Sequence, residues 1–179
     1  SHPVISNYLG NGAVIVPLDI FPDGFYRFSR RSFLDETKYL QGLVYVFRRD
    51  GYTFIRGYEA KEAMRQQGLS IDPKLREFRG LVMRQEDGLA ALISRPGATT
   101  CTFNFLSRVT SFQNNFWDGY CARTTRESIA VNRITRVVFE HIHDDIPAMM
   151  ATARNAGLID KSALPTFHKR LLRIDEPFR

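Results

Sequence analysis

The run Leu40-Gln-Gly-Leu-Val-Tyr-Val-Phe-Arg-Arg49, then Asp50-Gly51, then Tyr52-Thr-Phe-Ile-Arg-Gly-Tyr58 decides the fold class. Two β-rich stretches flank a two-residue Asp-Gly, a pair that accepts the positive backbone angles of a tight antiparallel hairpin. The arrangement repeats where Asp87-Gly88 separates Phe78-Arg-Gly-Leu-Val-Met-Arg84 from Leu89-Ala-Ala-Leu-Ile93. In the first hairpin Leu43, Tyr45 and Phe47 share one side of the strand, with Val44, Val46 and Arg48 on the other. Apolar residues on both sides imply a strand covered on both faces, or one whose second face lines a pocket.

Outward from these hairpins, Ala13-Val-Ile-Val16 reads as a short apolar strand and Phe25-Tyr-Arg-Phe-Ser-Arg-Arg31 as an alternating one. Residues 32–39 read as loop or a short helical turn. Glu59 to Gln67 is helix-friendly and stops at Gly68. Thr100–Leu106 and Phe112–Arg123 supply further strands, giving seven or eight between Ala13 and Arg123. After Arg123 the period changes: Ile134, Val137, Val138 and Ile142 follow a helical spacing, as do Ile146, Met149, Met150 and Ala153, with Gly157 as terminator. A third helix carries Leu164, Phe167, Leu171 and Leu172. The expected fold is α+β, mainly β: a curled or barrel-like antiparallel sheet with a helical C-terminal tail. Residues 1–143 form the sheet-rich domain with its first packing helix; residues 144–179 form the tail, packed on it and available for dimer contact.

With 179 residues, 44% of them hydrophobic, the chain can bury a substantial core. No apolar run reaches the roughly 20 residues needed to cross a bilayer, and no leader-like start is present. A cytoplasmic protein without membrane contact is therefore expected. Ser1-His-Pro-Val-Ile-Ser has no natural N-terminal look, so the chain is expected to be a fragment of a longer protein. Cys101 and Cys121 lack metal-ligand spacing and are expected to be reduced. The net charge of +6 invites anionic partners, yet no run of cations exceeds two residues.

Few motifs carry chemistry. His141-x-His143 followed by Asp144-Asp145 would not converge on a metal from a helix; a solvated helix terminus, with Asp144 or Asp145 capping the next helix, is the expectation. No nucleophile elbow, phosphate loop or dinucleotide fingerprint occurs. Nothing in sequence places Glu59 and Glu77 together as acid and base. Ala148 to Leu172 does not scan as a helix-turn-helix, because Pro165 would fall inside the reading helix. The richer feature is the set of strand rings interleaved with arginines, which suits a cavity for an anionic or amphipathic small molecule. Tyr26, Tyr45, Arg56, Arg79 and Tyr120 are the residues expected to line it. No cofactor and no metal is expected. Two other readings are a nucleic-acid-binding module using basic and aromatic surface, and a small enzyme with an aromatic pocket.

Three pieces, in order, resemble the regulatory domain that follows the helix-turn-helix in some bacterial XRE-type transcriptional regulators. They are Gly24-Phe-Tyr-Arg-Phe-Ser29, the strand start Phe78-Arg-Gly80, and Asp118-Gly-Tyr-Cys-Ala122 running into Asn132-Arg-Ile-Thr-Arg-Val-Val-Phe-Glu140. Together they span Gly24 to Ile142, roughly two thirds of the chain. The resemblance implies a non-enzymatic sensor domain that binds a small effector or a partner; the tail helices, rich in Met and Leu, are expected to make the contacts of a homodimer. It also implies that DNA is contacted only through a helix-turn-helix lying ahead of the sheet, which this chain lacks. It supplies no ligand residues.

Overall fold

A computed structural model describes residues 2–9 and 11–178; the reading of Ser1 as a cut end lies outside them. Two short helices, α1 (Pro3–Leu9) and α2 (Asn11–Val14), precede β1 (Gly24–Arg31), β2 (Lys38–Arg49) and β3 (Tyr52–Tyr58). Helices α3 (Lys61–Gln66) and α4 (Pro73–Arg76) lead into β4 (Glu77–Gln85), β5 (Gly88–Ser94), β6 (Thr102–Arg108), β7 (Phe116–Arg123) and β8 (Ile134–His141). The chain ends with α5 (Ile146–Arg154), β9 (Gly157–Asp160) and α6 (Thr166–Leu172). No described helix is long and apolar enough to cross a membrane.

Strands β1 to β8 each pair antiparallel with the next, and β8 returns to β1, so the sheet closes into an up-and-down barrel. Closure satisfies the backbone groups that an open edge would expose. The twelve-residue β2 shares one of its edges between two partners: β3 pairs with residues 44–49, and β9 with residues 38–41.

Register assigns every side chain to the lumen or the outer wall. Tyr26, Val44, Ile55, Val82, Ala91, Leu106, Trp117, Cys121, Val137 and Phe139 point inward and form one buried cluster. Val16 and Phe21 enter from one end as a plug, with Phe21 4.8 Å from the Tyr26 ring and 5.4 Å from Trp117. The Tyr26 hydroxyl donates to the Pro22 carbonyl at 2.5 Å. Arg48 ties the plug to the wall, donating to the Val16 carbonyl at 2.8 Å and pairing with Asp23 at 2.6 Å.

Four expectations are corrected. Ala13–Val16 is not a strand: residues 11–14 are helical and Val16 belongs to the plug. Residues 134–141 are not a helix but β8, the strand that closes the barrel. Val137 faces the lumen while Val138 is covered from outside by Leu164 and Leu172. A strand buried on both faces loses its alternation, and its apolar spacing then imitates a helix. The tail is also not purely helical, since β9 adds a strand to the sheet. Asp145 does cap α5, accepting from the Ala148 amide at 2.9 Å, but His141 is buried rather than solvated.

The two Asp-Gly pairs work by different physics. Asp50 and Gly51 have φ of 53° and 80°, the doubly positive turn expected of the hairpin. At the second hairpin Gln85 pairs with Gly88, so Glu86-Asp87 form the loop and Gly88 already lies in β5. There a Cβ would stand 2.2 Å from the Leu106 carbonyl oxygen of β6, whereas one on Gly51 would meet nothing within 4 Å. Gly51→Ala is therefore expected to cost about 1 kcal/mol through backbone strain alone. Gly88→Ala should cost about 2–3 kcal/mol, because two strands must part. Urea unfolding of both variants checks the order; equal losses would contradict it.

Candidate functional site

Strand alternation places Phe25 of β1, Leu43 and Tyr45 of β2, and Arg56 and Tyr58 of β3 on the outer wall. Helix α5 packs across β1 and β2, and α3 lies against β9. Between them runs an open groove of about 740 Å³, floored by those five side chains and walled by Ala60, Lys61 and Glu62 on one side and Ala153 and Ala156 on the other. Its size falls in the range of small-molecule sites, roughly 300–1,000 Å³. The alanines follow from the sequence of α5 and its exit: small side chains facing the wall leave space that larger ones would fill.

The floor continues into a line of rings. Phe25 and Tyr45 are 4.9 Å apart, Tyr45 stacks on Phe47 at 5.9 Å with planes 16° apart, and Phe47 lies 5.6 Å from Phe54. Tyr45 and Tyr58 keep 38% and 48% of their surface exposed, so a planar or apolar ligand has ring faces to cover. The polar groups are mostly cationic. Arg76 is fixed, donating to the Glu59 carbonyl at 2.7 Å and to the Ile71 carbonyl at 3.0 Å. Arg56 is held loosely, its Nε 3.7 Å from a Glu77 oxygen that Arg79 also takes at 3.0 Å. Lys61 pairs with no carboxylate among the described residues.

Of the five residues expected at a ligand cavity, Tyr45 and Arg56 are direct cross-strand partners and both line the groove. Arg79 is the next partner across, completing the outer-wall row Phe25, Tyr45, Arg56, Arg79, though it lies beyond the groove's edge. The other two lie elsewhere. Tyr26 is fully buried in the lumen beneath the plug. Tyr120 is on the outer wall of β7, 5.8 Å from Phe105 and 5.8 Å from Phe178. Lys61 of α3, Ala153 of α5 and Ala156 just beyond that helix went unanticipated; small side chains at 153 and 156 were a sequence signal for the groove wall, and Lys61 had none.

A second constellation has the composition of a hydrolytic triad. Ser29 Oγ is 2.7 Å from His168 Nδ1, and His168 Nε2 is 2.8 Å from Glu140 Oε1. Arg27 pairs with the same carboxylate at 2.6 Å. Ser29 and His168 are both fully buried, so neither the hydroxyl nor the imidazole meets solvent as a nucleophile and its base would have to. The contacts fit a neutral imidazole that donates from Nε2 to Glu140 and accepts from the Ser29 hydroxyl. Burial pushes the His168 pKa down against the opposing pull of Glu140. For Glu140 burial acts upward, but the His168 and Arg27 hydrogen bonds together hold its carboxyl below the usual range. The network is a polar latch that docks α6 onto β1 and β8. The lumen thiol of Cys121 is equally inert, pushed up to about 11 by burial.

Among the described residues no group of three or more His, Cys, Asp or Glu side chains is placed to hold a metal; His141 and His143 instead meet edge to face at 4.2 Å. No protein-family model, curated protein sequence or solved structure matches this chain.

The latch makes folding acid-sensitive with a definite sign. His168 and Glu140 both have folded pKa values below their unfolded ones, so the unfolded chain takes up protons first. Their contribution is fully present above about pH 6.5. It falls as pH drops below that value, first through His168 and then, under about pH 4.5, through Glu140. His141, also depressed by burial and by His143, adds to the first stage. His168→Leu should cost about 1–3 kcal/mol at pH 7.5, because Ser29 and Glu140 lose a buried partner. It should also flatten the wild-type decline between pH 7.5 and 5.5 in urea titrations; an unchanged slope would remove His168 from the account.

Proposed function

We propose that the chain is a non-enzymatic small-molecule-binding domain whose ligand is amphipathic and anionic. One observation carries the reading: Tyr45 and Arg56 stand side by side on the floor of a 740 Å³ groove. A ring face and a loosely held guanidinium in one recess match a ligand with a flat apolar body and an acidic group. The fully buried Ser29 and His168 weigh against the hydrolytic alternative.

The placement of the groove also supports a regulatory role of the kind that the resemblance to XRE-type sensor domains implies. Its floor is barrel wall, while Ala153 and Ala156 belong to the C-terminal segment. A ligand held by both favours the arrangement in which α5 is docked, and such a difference in affinity is what a signal to an attached DNA-binding domain requires. The outer-wall ring row of exposed Tyr45 and half-buried Phe47, Phe54 and Tyr52 supports a second reading, stacking of single-stranded nucleic acid.

Titration with 1-anilinonaphthalene-8-sulfonate, an anionic aromatic probe, separates these. Saturable binding is expected, weakened about tenfold or more by Arg56→Gln through loss of a charge-assisted contact worth about 1.5–3 kcal/mol. Tyr45→Ala should weaken it comparably, and Tyr120→Ala, across the barrel, should not. Binding indifferent to both groove variants would defeat the proposal. Oligonucleotide binding with a steep salt dependence would favour the second reading.

A further inference from the structure

The barrel has a second end, and its chemistry differs from that of the groove. Along β1 the inward residues run from Tyr26, beneath the plug, to Arg30 at the opposite mouth. There a recess of about 80 Å³ is lined by Arg30, by Arg95 just after β5, by Arg123 at the end of β7, and by Phe33, Glu59 and Cys101. Its volume suits one compact head group rather than a drug-sized molecule.

The three arginines are under-compensated. Arg30 and Arg123 both lie over the Phe33 ring, their guanidinium carbons 4.4 Å and 5.3 Å from its centre. Among the described residues, the one hydrogen bond from these three guanidinium groups is from Arg30 Nη1 to the Arg31 carbonyl at 3.2 Å. None of the three comes within 4.0 Å of a carboxylate among the described residues. Arg123 is half-buried, and its burial and the nearby charges of Arg30 and Arg95 all act against its proton, with Glu59 the counterweight. A guanidinium offers five N–H donors, and gathering several such groups away from water without a paired anion is unfavourable.

We propose that this mouth is a binding site for a single small oxyanion, a phosphate or carboxylate group, held between Arg30, Arg95 and Arg123. Each of these oxyanions can accept from more than one guanidinium at once, the geometry in which arginine outperforms lysine. Glu59, facing the same recess, limits affinity by repelling the anion. The aromatic ring of Phe33 orients two of the three cations ahead of binding. The recess shares Glu59 with the lining of the groove but none of its three arginines, and the proposal does not rest on the function proposed above.

The test is calorimetric titration and thermal unfolding with inorganic phosphate, phenyl phosphate and acetate, each against chloride at equal ionic strength. Saturable binding of at least one oxyanion is expected, weakened tenfold or more by Arg95→Gln, a change at a half-buried position between β5 and the exposed Pro96-Gly97 turn, outside the strands of the barrel. Glu59→Gln should tighten it several-fold, an outcome that no folding defect would imitate. Arg56→Gln, in the groove, should leave it unchanged, so failure here and failure of the groove proposal are distinguishable. Phenyl phosphate binding more tightly than phosphate would mark the head group of a larger molecule; equal affinity would mark the free ion. Oxyanions indistinguishable from chloride, or affinity unmoved by both Arg95→Gln and Glu59→Gln, would overturn the proposal.

Discussion

The pairing of β1 with β8 is the constraint on which the rest of the molecule depends. Its register, Tyr26 with His141, Phe28 with Phe139 and Arg30 with Val137, turns a meander into a barrel. Once closed, neighbouring residues on one strand serve opposite compartments. Tyr26 meets Phe21 of the plug and Trp117 of β7 inside, while Ser29 and Glu140 meet His168 of α6 outside. The seam is therefore reinforced from both faces by segments far apart in sequence. An opened β1–β8 pair would free two sheet edges and detach the plug and the C-terminal helix together.

Closure also explains why the groove lies on the outside. An eight-stranded barrel has a lumen only just wide enough for side chains or one small ligand. Here Tyr26, Trp117 and Phe139 occupy it, and the plug adds Phe21 and Val16. Open recesses are left to the outer wall and the rims. On the outer wall, the row Phe25, Tyr45, Arg56, Arg79 is coherent because antiparallel register carries one face across four strands. The crossing helix α5 then converts part of that face into a groove.

Much of this plan was legible in the amino-acid sequence, for reasons that can be named. The hairpin at Asp50-Gly51 announces itself because the required backbone angles belong to few residue types. Asp87-Gly88 marks the next hairpin too, but its glycine answers to a neighbouring strand, which local sequence cannot express. Strand β8 was hidden because α6 covers its outer face: tertiary burial on both sides erased the alternation that identifies strands. The same limit divided the expected site residues. Tyr45 and Arg56 share a face, as counting by twos predicts, but counting cannot tell wall from lumen, and Tyr26 fell inside. Ser29, His168 and Glu140 are separated by so many residues that only the closed barrel unites them.

The two rims of the barrel turn like residues to unlike ends. At the plugged rim, Arg48 finds Asp23 and the Val16 carbonyl, and Arg108 lies 4.8 Å from the Trp117 ring centre. The N-terminal segment thus brings an acid and a carbonyl to a cation that the lumen could not otherwise tolerate. At the far rim the loops bring Phe33, which orients Arg30 and Arg123 without neutralising them, and Glu59 stays beyond ion-pair distance. Cation–π contacts contribute about 0.5–2 kcal/mol each, less than a well-formed pairing with a desolvated anion. The asymmetry has a simple physical content. One end of the barrel is completed by its own chain, and the other presents a charge surplus that a small anion would complete.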